Sequence, residues 1–362
     1  MPHDERPNER DASRRTFLKG VAATVGAIAL TSRAGEVLGA ALPASRDLRS
    51  SLAPNWTDQI GLELYTVRDM IAKDYLGTLE KVAAIGYKEI EPAGGYANLS
   101  PKQFRAELDR LGLKMPSTHS GVAAGAQADM EKQLQDFQIM GIEYTSVSEA
   151  PPAGGRRGGR GRPPGPATPP TPAEQRKQLE QFIRTTAQAR TVDDVKQEAA
   201  RYNNYGKIAQ KFGIKLLVHN HTVEFIPCKD AADQLPYSIL LAETDPSLVV
   251  FQMDIGWASV AGQNPVQLFQ QHAGRFALWH VKDVAGLKFL PPVPDQGGRM
   301  AEARLVPVGN GDVDYGEIFK YAGVAGMKHF AIEQDSAADW GDSLAAARVS
   351  YEHLRAMLTS QA

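Results

Sequence analysis

The chain has almost no cysteine: Cys228 is the only one in 362 residues. A disulfide framework within one chain is excluded, and so is a zinc site built on cysteine pairs. Net charge is nearly absent as well, at -2 for 40 basic and 42 acidic residues. No bulk field therefore argues for nucleic acid as a partner. The apolar segment 21–30 falls short of the roughly 20 residues that a bilayer span takes, and nothing longer stands elsewhere, so stable membrane insertion is not expected. The stretch Tyr65-Thr66-Val67-Arg68, after the first apolar run, lacks the glycines that a dinucleotide-binding fold places there. What is present is globular: 43% apolar and 23% charged residues, in a length that suits one large domain or two ordinary ones.

The N-terminus carries an address. Ser13-Arg14-Arg15-Thr16-Phe17-Leu18-Lys19 precedes the apolar segment and matches a twin-arginine export signal. Residues 1–44 are expected to be signal and cleavage region, and the protein to be periplasmic or otherwise extracytoplasmic. Passengers of that route cross the membrane already folded.

From residue 60 on, short apolar runs alternate with longer amphipathic ones. Strands are predicted at 60–66, 87–91, 113–119, 142–147, 214–219, 248–254, 276–280 and 329–333. Helices are predicted at 75–85, 101–111, 128–140 and 195–212, and near 265–272, 315–322 and 343–358. Ser100 stands as a helix N-cap, and Gly86 and Gly213 as stops. Eight strands alternating with helices imply parallel pairing through right-handed crossovers. The fold class is therefore α/β, a single (β/α)8 TIM barrel over 55–360. An open doubly wound sheet is the competitor, and it uses fewer strands. Residues 150–190 interrupt the pattern. Within them 151–172 is almost wholly Pro, Gly, Arg and Ala, with Arg156, Arg157, Arg160 and Arg162 together. Such a segment cannot bury a core. It is either a basic lid over an anionic ligand or a solvated insertion without a role.

Four of the apolar runs end in polar groups. Leu216-Leu217-Val218 leads into His219-Asn220-His221 and then Glu224. The later runs end in Asp254, in His280 followed by Lys282, and in Glu333 followed by Asp335. A barrel builds its active site at the C-terminal strand ends. The polar residues expected there are Glu63, Glu91, His119, Glu149, His219, His221, Glu224, Asp254, His280, Lys282, Glu333 and Asp335. A single histidine at a strand end is an ordinary structural group. Charged or imidazole groups on all eight strands exceed what structure needs. Carboxylates alone would repel one another, and a mixture of Asp, Glu and His converging on one point is what a divalent metal requires. Trp257, one turn after Asp254, offers a flat face to a sugar ring or simply covers the barrel end.

Several of these stretches together resemble a known family. They are Gly61-Leu62-Glu63-Leu64-Tyr65-Thr66-Val67-Arg68, Gly86-Tyr87-Lys88-Glu89-Ile90-Glu91, His219-Asn220-His221 with Glu224-Phe225, and Asp254-Ile255-Gly256-Trp257. His280-Val281-Lys282-Asp283 and Gly309-Asn310-Gly311-Asp312-Val313-Asp314 complete the set. In this order the chain resembles the sugar phosphate isomerase/epimerase proteins of the xylose isomerase-like TIM-barrel superfamily. The resemblance implies a metal site on strands five to eight, commonly Glu, Asp, His and Glu, for Mn, Mg, Zn or Co. Asp254, His280 and Glu333 fall on three of those positions. His219 stands where the glutamate is expected, with Glu224 or His221 as alternative ligands, and Glu63 stands where relatives often have glutamine.

The resemblance further implies a metal-dependent isomerase or epimerase that works by enediolate proton transfer on a carbohydrate. Glu333 would be ligand and base, with Glu224, Glu149 or Glu91 assisting. Lys282 would hold a substrate oxygen or pair with Asp283, and His119 would contact a hydroxyl. His221, Trp257, Glu91 and Glu63 are the candidate substrate contacts. Export argues for a free sugar, keto-sugar or glycoside rather than a sugar phosphate. A β-elimination lyase on a 3-keto-glycoside is the alternative chemistry, with a partner sugar oxidoreductase as supplier. Two other classes share the fold. An abasic-site endonuclease would need extra histidines, one of them where Trp257 stands, and a basic face. A non-catalytic sugar-binding barrel would explain the missing strand-five glutamate.

Overall fold

The computed structural model describes residues 56–148, 190–293 and 295–361, with Lys177, Gln178 and Gln181 between them. The export signal, Glu149 and the Arg-rich segment lie outside the described residues. Strand β1 (Ile60–Glu63) and β2 (Glu89–Glu91) are buried at every position, as strands covered on both faces must be. They are followed by β3 (Ser117–Ala123), β4 (Tyr144–Ser148), β5 (Lys215–His219), β6 (Val249–Asp254) and β7 (Leu278–Val281). A short antiparallel hairpin, β8 (Asp283–Ala285) with β9 (Arg304–Val306), precedes the eighth barrel strand, β10 (His329–Ile332).

The eight barrel strands pair in parallel in the order β2-β1-β10-β7-β6-β5-β4-β3. The seam between β2 and β3 is spanned by a parallel bridge from Glu89 to Lys114. Ile90 N–H donates to Lys114 O at 2.9 Å, and His119 N–H to Pro92 O at 2.9 Å. The chain is an α/β TIM barrel. Among the described residues no helix is long and apolar enough to cross a membrane.

Period-two alternation sorts each strand's side chains. On β7, Trp279 faces outward and stacks on Phe269 of the helix Pro265–Gln271, centroids 4.8 Å apart. Leu278 and His280 face the barrel axis. The axis is apolar at one level, where Leu217, Val250, Ala277 and Leu278 form a cluster of their own. One pleat further on, the same strands carry His219, Gln252 and His280 inward. Polar side chains thus occupy the axis toward the C-terminal ends, above an apolar plug.

The helices follow local signals. Helix Tyr75–Ile85 begins on Asp74, whose carboxylate accepts from Gly77 N. Helix Pro101–Leu111 starts with a Ser100–Gln103 capping box and closes on Gly112. Such a cap stabilises a helix by about 1 kcal/mol.

Two strands differ most from the sequence expectation. The first strand stops at Glu63, not at 66, because the Glu63 carboxylate accepts from Tyr65 N and the chain turns into a 3-10 helix, Leu64–Val67. The third strand is Ser117–Ala123, not 113–119. Residues before Pro116 cross toward β2, and the strand then continues beyond His119 through a register shift against β4. Gly121, at φ 63°, absorbs that shift; an added Cβ there would lie 3.0 Å from Ser148 N. The β8–β9 hairpin and the helices Pro236–Glu243, Ile255–Val260 and Gln296–Glu302 were not anticipated.

Candidate metal centre

Asp254 ends β6 and also begins the helix Ile255–Val260. Its Oδ1 accepts from Trp257 N at 2.7 Å, which orients the carboxylate and leaves Oδ2 pointing to the axis. Asn220, in the turn after β5, fastens the same residue: its Oδ1 accepts from Asp254 N at 3.0 Å, and its Nδ2 donates to Asp254 O at 3.1 Å.

His280 is fixed from below by Glu91. Its Nε2 lies 3.0 Å from Glu91 Oε1. The other Glu91 oxygen accepts from Gln252 Nε2 at 2.7 Å and from Ser117 Oγ. Burial alone would raise the Glu91 carboxyl, but His280 and His119 outweigh it and hold it well below the usual carboxylate range. An ionised Glu91 only accepts, so His280 Nε2 carries a hydrogen and Nδ1 is the nitrogen turned toward the mouth. A carboxylate behind an imidazole in this way sets the tautomer that a metal ligand needs.

His280 Nδ1 is 2.7 Å from Glu333 Oε2 and 3.9 Å from Asp254 Oδ2. Ligand atoms of Asp254, His280 and Glu333 all lie within 4.8 Å of one another. Lys282 Nζ joins them, 2.9 Å from Asp254 Oδ2, 3.0 Å from Glu333 Oε2 and 2.7 Å from Asp335 Oδ2. These buried atoms approach at ion-pair distance, yet none of the five makes a hydrogen bond of normal geometry. Native interiors rarely leave such groups unpaired. Two carboxylate oxygens and one imidazole nitrogen around one point are a donor set for a divalent ion, with coordination positions left for substrate. The residues fit the metal that the fold implies.

The protonation pattern follows from the crowding. Burial would lower His280, but Glu91 and Glu333 outweigh it and hold the imidazole well above its usual value. Burial would raise Glu333, and Lys282 with His280 pull it well below. Asp254 is pushed up to about 6 by burial, which Lys282 only partly opposes. Loading a metal on His280 therefore means displacing a proton.

A second grouping stands beside the first: His119, His219 and His280 also offer nitrogens within 4.8 Å of one another. The His119 and His219 rings are 4.7 Å apart, and His219 and His280 are 4.8 Å apart. His219 Nδ1 is 3.1 Å from Gln252 Oε1. Burial and then the neighbouring imidazoles hold His219 well below its usual value, so it is neutral. Of the four residues expected as ligands, three thus share one grouping, and His219 meets it through His280.

The remaining candidates take varied places. His221 is at the exposed rim, its ring 6.4 Å from Trp257. Glu224 is turned back, its Oε2 accepting from His221 N at 2.7 Å, and belongs to neither grouping. Glu63 and Glu91 are closed from solvent at 1% exposure each. Glu91 orients His280, and Glu63, raised by burial and by Glu333, lies alongside. The pairing of Lys282 with Asp283 is corrected. Asp283 instead accepts from the amides of Val284, Gly309, Gly311 and Val313, and so binds the glycine-rich loop to β8. Sequence reasoning assigned no part to Gln252, Ser117 or Asn220. Gln252 was findable, since it lies two residues before Asp254 and shares its face of the strand.

The comparisons agree with this architecture. The family described as xylose isomerase-like TIM barrel matches residues 79–357. The inosose dehydratase of Geobacillus kaustophilus is 27% identical over 213 residues, 57% of this chain and 61% of that protein, so the chain spans less than two thirds of that relative. A sugar phosphate isomerase/epimerase from Parabacteroides distasonis superposes with a TM-score of 0.59 at 20% identity, over 87% of this chain and 98% of that one. A xylose isomerase-like TIM barrel protein from Mycobacterium smegmatis, in complex with magnesium, gives 0.51 at 18% identity, over 84% and 98%. At those identities the two structures share the fold. With well over half of its length under that family model, the chain belongs to the xylose isomerase-like TIM barrel family.

Proposed function

We propose that the protein is a divalent-metal-dependent enzyme that removes a proton beside the carbonyl of a sugar, keto-sugar or related cyclic polyol ketone. The observation that carries this reading is the meeting of Asp254 Oδ2, His280 Nδ1 and Glu333 Oε2 around one point, with Glu91 fixing the ring of His280. Asp254, His280 and Glu333 would hold the ion, and His219 stands beside that set, next to His280. When bound there, a divalent ion polarises the carbonyl and offsets the charge of the enediolate.

The chain's own groups do the rest. Trp257 and His221 form one wall of the mouth, an aromatic face for the apolar side of a ring. His119 and His219 stand beside His280 and are placed to move the proton. Return of the proton to either carbon gives isomerisation or epimerisation. Departure of a β-hydroxyl or aglycone, protonated as it leaves, gives elimination. The similarity to an inosose dehydratase supports elimination. The twin-arginine pattern supports an extracytoplasmic site of action, and a keto-sugar substrate there calls for an oxidoreductase upstream.

The test is solvent exchange. As-purified, chelator-stripped and metal-reloaded protein are each incubated in D2O with inosose and a panel of keto-sugars. Deuterium at the carbon next to the carbonyl, or an unsaturated product, is expected only with the ion present. Metal binding with neither result on any compound would leave a sugar-binding barrel.

A further inference from the structure

Lys282 lies at ion-pair distance from the oxygens that define the metal centre. Its Nζ lies 2.9 Å from Asp254 Oδ2 and 3.0 Å from Glu333 Oε2. Those two oxygens are the ones facing His280 Nδ1. The third partner is different in kind. Asp335 Oδ2, at 2.7 Å, lies outside the metal grouping, and its side chain is 31% exposed against 0% for Asp254. The Trp257 ring stands 5.2 Å from Nζ. Below, the Lys282 carbonyl accepts from the Tyr315 hydroxyl at 2.8 Å, so the backbone is held. Gly256 leaves room for the stem: a Cβ there would sit 2.9 Å from Lys282 Cβ and Cγ.

We propose that Lys282 is a resident counter-cation that yields its place to the divalent ion. It moves from Asp254 and Glu333 to Asp335 and the face of Trp257, where its ammonium meets the substrate. The proposal rests on the metal-dependent reading above. An ion in contact with Asp254 Oδ2 and Glu333 Oε2 would share both oxygens with the ammonium. Like charges at such separations in a buried site repel with little screening. An ammonium on four methylenes can give way without moving its backbone, and its three donors can exchange one carboxylate for another. Asp335 and Trp257 supply the second station. Without either cation, the buried carboxylates would have His280 alone to offset their charge. Lys282 thus keeps the metal-free site folded and, by the same contacts, limits how tightly the ion binds.

The test uses the full chain and the metal alone. Amine-reactive footprinting with mass spectrometry is run with and without Mn2+ or Zn2+. Lys282 is 1% exposed and is expected to be unreactive without the ion and reactive once it is loaded. A loaded protein whose Lys282 stays shielded overturns the displacement. In parallel, Lys282→Met is expected to bind the ion at least about tenfold more tightly, the size that loss of one close like charge gives, and to melt earlier when metal-free. Equal or weaker affinity in a folded Lys282→Met protein overturns the proposal, and if that variant does not fold the footprint decides. Absence of any bound ion in both wild type and variant overturns the metal reading itself, a result distinct from the other two.

Discussion

Asn220 holds Asp254 by its backbone from both sides, accepting from its amide at 3.0 Å and donating to its carbonyl at 3.1 Å. Both residues are fully buried. The asparagine of the His219-Asn220-His221 turn is therefore a fastener between β5 and the end of β6, and the direction of the Asp254 carboxylate depends on it.

Asn220→Ala should lower stability by about 2 kcal/mol, since it leaves a buried amide and carbonyl unpaired. It should also weaken metal binding by about 10- to 100-fold, the usual cost of losing a group that orients a ligand. Urea titration and metal titration read the two effects. Unchanged metal affinity in a destabilised variant would reduce Asn220 to a purely structural role.

Glu91→Gln keeps the shape of the side chain but not the charge against His280. Metal affinity should fall by about 10- to 100-fold. The metal-free protein gives a pH signature. Glu91 is held below its unfolded value, which is about 4.3, so the stability it contributes is full above about pH 5. It is lost as pH falls through 4.3 toward the folded value. The stability gap between wild type and Glu91→Gln should narrow over that acid range. A gap that stays constant from pH 8 down to 3.5 would contradict the ionised, His280-paired carboxylate.

Asp283→Ala removes the acceptor of four backbone amides, those of Val284, Gly309, Gly311 and Val313. A cost of about 3 kcal/mol is expected, since hydrogen bonds to a charged acceptor count above neutral ones. Hydrogen exchange should quicken at those amides first. Preserved protection of Gly309 and Gly311 in the variant would show that the loop holds without Asp283.

His280→Ala and His219→Ala should separate the two groupings of ligand atoms. His280 belongs to both, so its loss should leave the purified protein with little bound metal. His219→Ala should retain near-stoichiometric metal by elemental analysis and lose deuterium exchange into substrate instead. Equal metal loss in both variants would return His219 to the ligand set.

Much of this architecture is legible along the chain. Helices Tyr75–Ile85 and Pro101–Leu111 fall where periodicity, Ser100 and the closing Gly86 put them. Apolar runs ending in His219, Asp254 and His280 mark the strand ends because a parallel barrel buries its strands and opens only at their C-terminal side. The third strand was misplaced because the apolar run from Leu113 looks like its start, whereas pairing with β4 begins only at Ser117 and continues past His119. The β8–β9 hairpin escaped because its two strands are three residues each, too short for any period to show. Lys282 sits next to Asp283 in sequence, but successive residues of an extended chain point to opposite sides, so the two side chains part.

The sequence by itself determined the eightfold alternation, the polar strand ends and the mixture of imidazole and carboxylate groups, since all of these are local patterns of residue type. Only the tertiary structure decided partners. Glu91 under His280, Asn220 on Asp254, and Lys282 among Asp254, Glu333 and Asp335 join residues that are distant along the chain. Which inward-facing groups touch depends on strand stagger around the closed barrel, and stagger is a property of the whole sheet rather than of any stretch of it.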